Sequence, residues 1–168
     1  MAELPASGDL GRPAVPPPAE ESRLGNPAGV LAAAAPAPEL RCSDLFVATP
    51  GEAPQLAASD DPFVRWHSLS LKDVLELEWL ALQRAARTDV FDEPLVEEPH
   101  AVVRPMTRHV VQRLAALEPE ALTALAGAWQ AEAFPAWPLE AVERVLVELQ
   151  ALAARARREG RAVLYLSK

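Results

Sequence analysis

Cysteine is nearly absent. Cys42 is the only one in 168 residues, so no internal disulfide or thiolate cluster can form and a reducing, cytoplasmic compartment is the expectation. Aromatic residues are scarce at 5%, which leaves Leu, Val and Ala to build the core around the four Trp. The seven glycines never cluster. Neither G-x-G-x-x-G nor G-x-x-x-x-G-K-[ST] occurs, so no backbone cradle for a phosphate is visible and no cofactor is expected. A G-x-S-x-G nucleophile elbow is missing as well.

Long apolar runs are also missing. None reaches the roughly 18 to 20 residues needed to cross a bilayer, and the first residues lack the cationic start and apolar stretch of a secretory signal. The nearest imitation, residues 29–35 (GVLAAAA), is short, internal and followed by Pro36-Ala37-Pro38. No membrane association is expected.

Positive charge is in deficit, with 16 Lys and Arg against 24 Asp and Glu. The net −8 divides as −3 over residues 1–40, −7 over residues 41–101 and +2 over residues 102–168. A general nucleic-acid binder needs a basic stripe along the phosphates. The sole candidate is Arg155, Arg157, Arg158 and Arg161, and cations at a helix end are accounted for by the helix dipole. No nucleic-acid partner is expected.

What is abundant at the start of the chain is proline and alanine. Residues 1–40 hold eight of the seventeen prolines and ten alanines, without a sustained period of 2 or 3.6. Such a segment cannot bury enough apolar surface to offset its ordering entropy, so a disordered tail is expected over residues 1–40 and one globular domain over residues 41–168. Pro13 and Pro16 make a P-x-x-P spacing, but no flanking cation stands in the usual register.

Patterned sequence begins with the apolar run Leu45-Phe46-Val47-Ala48, which suits a buried strand. Thr49-Pro50-Gly51-Glu52 has capping-box spacing and opens a short helix through about Ala58. Ser70-Leu71-Lys72-Asp73 has similar spacing, and it predicts a helix to about Arg87 with Trp79 on its apolar side. Residues 88–99 are acidic, carry two prolines and read as a surface loop. Residues 101–104 form a brief strand candidate. Helices follow from about Thr107, from Pro119 and from about Pro138 to Glu159, the last stopped by Gly160. The chain then runs into the clearest strand, residues 162–167 (AVLYLS), which belongs inside a sheet and not at an open edge. The pattern predicts an α+β domain with about three strands and about five helices, packed over one face of the sheet.

Few residues suggest chemistry. His67, His100 and His109 stand in no metal-ligand spacing and no Cys pair lies near them, so no metal site is expected. Cys42 sits beside the tail, away from any feature that would lower a thiol pKa. No catalytic residue is nominated. The acidic segment, with Asp89, Asp92, Glu93, Glu97 and Glu98, has neither the alternation nor the glycine of a calcium loop. It does make a concentrated negative surface of the kind that steers and selects a basic partner. Trp66 and Trp137 lie in connectors, where a large aromatic can cap a core or anchor an interface.

No motif identifies a family, and the Ala/Arg/Leu/Pro-heavy usage fits a GC-rich, bacterial-like coding genome. The leading expectation is a non-catalytic protein-interaction domain of the immunity, adaptor or regulatory type, engaging a basic protein through its acidic region. Two alternatives stand beside it. One is a small enzyme with a site assembled from the dispersed histidines and carboxylates. The other is a subunit of a larger assembly on which the tail becomes ordered.

Overall fold

The most apolar stretches of the chain form the middle of one antiparallel sheet. The structure, a computed structural model, describes residues 42–168; the tail expected over residues 1–40 lies outside the described residues. In β1 (Cys42–Ala48), Leu45, Phe46, Val47 and Ala48 are all fully buried. A strand with no polar face must be covered on both sides. The same holds for β5 (Ala162–Ser167), where Val163, Leu164 and Leu166 are buried. The other strands are β2 (His67–Lys72), β3 (Val96–Glu98) and β4 (Ala101–Pro105), and the order is β2-β1-β5-β4-β3. Every pairing is antiparallel, and the C-terminal strand takes the centre.

Among the described residues the sheet therefore has five strands where the sequence pattern predicts about three. Both added strands are edges, and each is hidden for a different reason. In β2, Leu69 and Leu71 alternate with Ser68 and Ser70, a period of 2 that registers against β1 as Leu45 opposite Leu69 and Ser43 opposite Leu71. The capping-box spacing of Ser70 and Asp73 competes with that reading and is misleading. Asp73 sits at φ 61, a left-handed turn that ends the strand, and the helix opens only at Glu76. β3 is three residues long, and it exists because its backbone pairs with β4 across the Pro99-His100 turn. Apart from Val96, nothing in its own composition favours a strand.

The helical layers are unequal. On one face, Phe46, Ala48, Val103, Leu164 and Leu166 pack against Trp66 and the short α1 (Ala53–Ala57). A 3-10 turn at Pro50–Glu52 leads into α1 and another at Pro62–Val64 follows it. On the opposite face lie α2 (Glu76–Ala86), α3 (Arg108–Ala115), α4 (Pro119–Ala133) and α5 (Leu139–Glu159). Helices thus cover both faces, not one. α5 presents Val142, Leu146, Leu149, Leu152, Ala153 and Ala156 inward, and it packs against β2, β1 and β5. Gly160, at φ 64, ends it.

Tryptophan holds the larger core together. Trp129 is fully buried and its indole Nε1 donates to the carbonyl of Glu78 at 2.7 Å, tying α4 to the first turn of α2. Trp79 stacks on Trp129 at 6.3 Å between ring centroids, and its Nε1 donates to Ser43 Oγ at 2.8 Å. The Ser43 hydroxyl in turn donates to the carbonyl of Val74. Ser43 is thereby satisfied, though it is fully buried on β1.

Candidate functional site

The acidic segment folds around the β3 edge of the sheet. Its first half is an irregular connector that follows α2. There Asp92 N–H donates to the carbonyl of Pro105 at 2.9 Å and Leu95 N–H to that of Val103 at 2.8 Å, which fastens the connector to β4. Its second half is the β3–β4 hairpin, where Glu97 and Glu98 face Val102 and Ala101 in register. The region expected to be a loop is thus half a hairpin. All five carboxylates, Asp89, Asp92, Glu93, Glu97 and Glu98, are on exposed residues.

Their surroundings separate them. Asp89 is engaged internally: its Oδ1 accepts from Gln83 at 2.8 Å, and its backbone carbonyl accepts from the hydroxyl of Thr107, the residue that caps α3. Asp92 faces a basic depression lined by Arg108, Arg157 and Arg161. Glu98 approaches His100 at 3.3 Å across the hairpin turn. Among the described residues, no Lys or Arg forms an ion pair with Asp92, Glu93, Glu97 or Glu98. Leu95, 43% exposed, stands in their midst. Charge along a sheet edge blocks indiscriminate strand pairing.

The two connector tryptophans are elsewhere. Trp66 is 4% exposed, so it is not available as a surface anchor. It packs under Phe46 and Leu56 in the smaller core, and the Arg65 guanidinium lies 4.8 Å from its ring centroid. Trp137 is half-buried and stacks on Phe134 at 4.5 Å, with its carbonyl accepting from Gln130. Trp66 shares the smaller core with Val96 of β3, and Trp137 packs against the larger core.

The histidines do not converge. His67 is on β2 and His100 in the β3–β4 turn, at opposite edges of the sheet. His109 is exposed in the first turn of α3. His67 Nδ1 lies 3.3 Å from Arg155, not from a carboxylate. Among the described residues, no cluster of three His, Cys, Asp or Glu side chains could hold a metal ion. An active site gathered from these histidines has no geometric basis.

The arginines at the end of α5 are partly neutralised. Arg155 pairs with Glu159 at 2.7 Å, and Arg161 pairs with Glu52 at 2.5 Å. Glu52 is the better-built polar centre: it accepts from the backbone N–H and hydroxyl of Thr49, from Arg161 and from Trp66 Nε1. The Thr49 backbone N–H and then Arg161 hold its carboxyl well below the ordinary 4.5, at about 2. These partners come from the turn before α1 and from the residues just before β2 and β5, so the carboxylate is a structural clasp.

A cavity of about 190 Å³ opens between α2 and the β4–β5 part of the sheet. The sequence shows Arg104 only as the last polar residue of a short strand, yet Arg104 lines this cavity. Its signal is period 2: Ala101 and Val103 face the α1 side, which sends Val102 and Arg104 to the other. Among the described residues, no helix is long and apolar enough to cross a membrane. Compared with known proteins, the chain matches no family model, no curated protein and no solved structure.

Proposed function

We propose that this protein is a non-catalytic interaction domain that binds a basic protein partner through the acidic β3 edge, in a reducing, cytoplasmic compartment. One observation carries the reading: Glu93, Glu97 and Glu98 are exposed on an edge strand and its approach, with no Lys or Arg bridging them among the described residues. Carboxylates left without internal partners contribute little to stability. Their field persists to about 8 Å at physiological salt, which suits encounter with a positively charged surface. Leu95 adds an apolar contact at the centre of the patch, where a rim of charge and an apolar middle match the usual anatomy of an interface. Asp89 and Trp66 drop out of the binding set, the first because Gln83 holds it and the second because it is buried.

The test is affinity capture of the tagged protein from its native cell extract at low and high salt, in parallel with Glu93→Gln/Glu97→Gln/Glu98→Gln. A stoichiometric basic protein held by the wild type at low salt, and lost both at high salt and by the triple variant, is the expected result. Equal retention by wild type and variant would overturn the acidic-edge reading.

A further inference from the structure

Among the described residues, the helical layer over the larger core does not cover the whole sheet. α5 packs against β2, β1 and β5, and α3 against β5, while β4 turns Val102 and Arg104 toward that layer and meets a cavity instead. Trp79, Phe91 and Tyr165 line it on the apolar side. Arg104, Ser167, Glu76 and Gln83 supply the polar groups. The aromatic walls are mutually braced: Trp79 meets Phe91 edge to face at 5.2 Å and 76°, and Phe91 meets Tyr165 at 5.1 Å and 35°. Arg104 is half-buried at the cavity wall; among the described residues its Nε is buried without a hydrogen-bond partner, and none of the ion pairs includes Arg104.

We propose that this cavity is a binding site for a small aromatic monocarboxylate, with Arg104 as its anion partner. A buried guanidinium N–H that lacks an acceptor is costly, because it has lost water and gained nothing. A carboxylate answers it with charge-assisted, two-pronged hydrogen bonds. The ring of such a ligand adds an edge or a face to the Trp79, Phe91 and Tyr165 cluster. About 190 Å³ is far more than one water needs and less than the roughly 300 Å³ at which drug-sized pockets begin, so the ligand is small. Charge around the cavity sets its valence. Glu76 lines the cavity as well, and Glu97 lies on the same sheet face, opposite Val102. These two carboxylates repel a dianion such as phosphate more than a single carboxylate, and they confine the anionic end to the Arg104 side.

The experiment is a titration of the full 168-residue chain, uniformly labelled with nitrogen-15, followed by proton–nitrogen correlation spectra. Benzoate is the probe, with benzamide, benzylamine and inorganic phosphate as comparators. The expected result is a saturable benzoate response confined to the Trp79 indole N–H, the Gln83 side chain and the backbone amides of Val102, Arg104 and Ser167. Benzamide should bind at least about tenfold more weakly, since it lacks the charge that strengthens the guanidinium contact. Arg104→Gln should lose a similar factor while keeping the rest of its spectrum. If that variant does not fold, the ligand series on the wild type decides alone. The proposal is overturned if benzoate gives no saturable response at millimolar concentration, if benzamide, benzylamine or phosphate binds as well, or if the response maps to the basic depression around Arg108 and Arg157.

Discussion

Replacing Glu52 by Gln should destabilise the protein in a way that depends on pH. The carboxylate accepts from Thr49 N–H at 2.7 Å, from the Thr49 hydroxyl at 2.9 Å and from Arg161 at 2.5 Å. Gln keeps the shape but offers one neutral acceptor where two charged oxygens stood. The fall from 4.5 to about 2 corresponds to at most about 3 kcal/mol. With the side chain 26% exposed, solvent screening reduces this to about 1 to 2 kcal/mol. Because the folded-state value is depressed, the stabilisation is fully present above the unfolded value near 4.5 and is lost as pH falls toward 2. The assay is urea unfolding of wild type and Glu52→Gln, followed by far-ultraviolet circular dichroism from neutral pH to below pH 3. The gap in unfolding free energy should be constant near neutrality, shrink below about pH 5 and close toward pH 2. A gap that is absent at neutral pH, or that does not change with pH, would refute the assignment of Glu52 as the clasp. Arg161→Gln should reproduce only part of the gap, since the backbone N–H of Thr49 is the larger cause.

Two further substitutions probe the packing and the chain geometry. Ser43→Ala removes the hydroxyl between Trp79 Nε1 and the Val74 carbonyl. With two buried groups left unpaired it should cost about 1 to 3 kcal/mol in urea unfolding, and a change near zero would mean that neither bond matters. Gly160→Ala meets no atom within 4 Å at the new Cβ, yet it forces a side chain onto a left-handed backbone at φ 64. It should lower stability by about 1 kcal/mol through backbone conformation alone, measurable as a lower midpoint with an unchanged denaturant slope.

How much of this was legible in the sequence depended on whether a segment carried its own signal. α5 announces itself through six inward apolar or small positions and the glycine that stops it, and β1 and β5 through runs with no polar face. α4 is marked by Pro119 at its first turn. β3 has no such signal. Val96 is its one apolar residue, and the hydrogen bonds that make it a strand come from β4, so sequence polarity points to a loop. β2 did carry a signal, the Ser-Leu-Ser-Leu alternation, but the Ser70 and Asp73 spacing matched a helix start equally well. Tertiary pairing with β1 decides between them.

The candidate sites divide along the same line. The acidic edge was visible because charge density survives any fold, and finding β3 beneath it changes only how rigidly the carboxylates are displayed. Whether three histidines converge, or whether Trp66 is exposed, depends on which strands become edges. The sheet order puts His67 and His100 at opposite edges, and the 3-10 turn at Pro62–Val64 brings Trp66 under α1, where Glu52 receives its N–H. Arg104 is the more instructive case. A single arginine after the three apolar residues Ala101, Val102 and Val103 reads as an ordinary solvent-facing residue at the end of a strand. It becomes a half-buried guanidinium whose Nε has no partner among the described residues because β4 lies beside Tyr165 of the central strand, away from the α5 contacts. The chemistry of that position is created by an incomplete helical layer, and the position of that layer's boundary is a property of the packed fold.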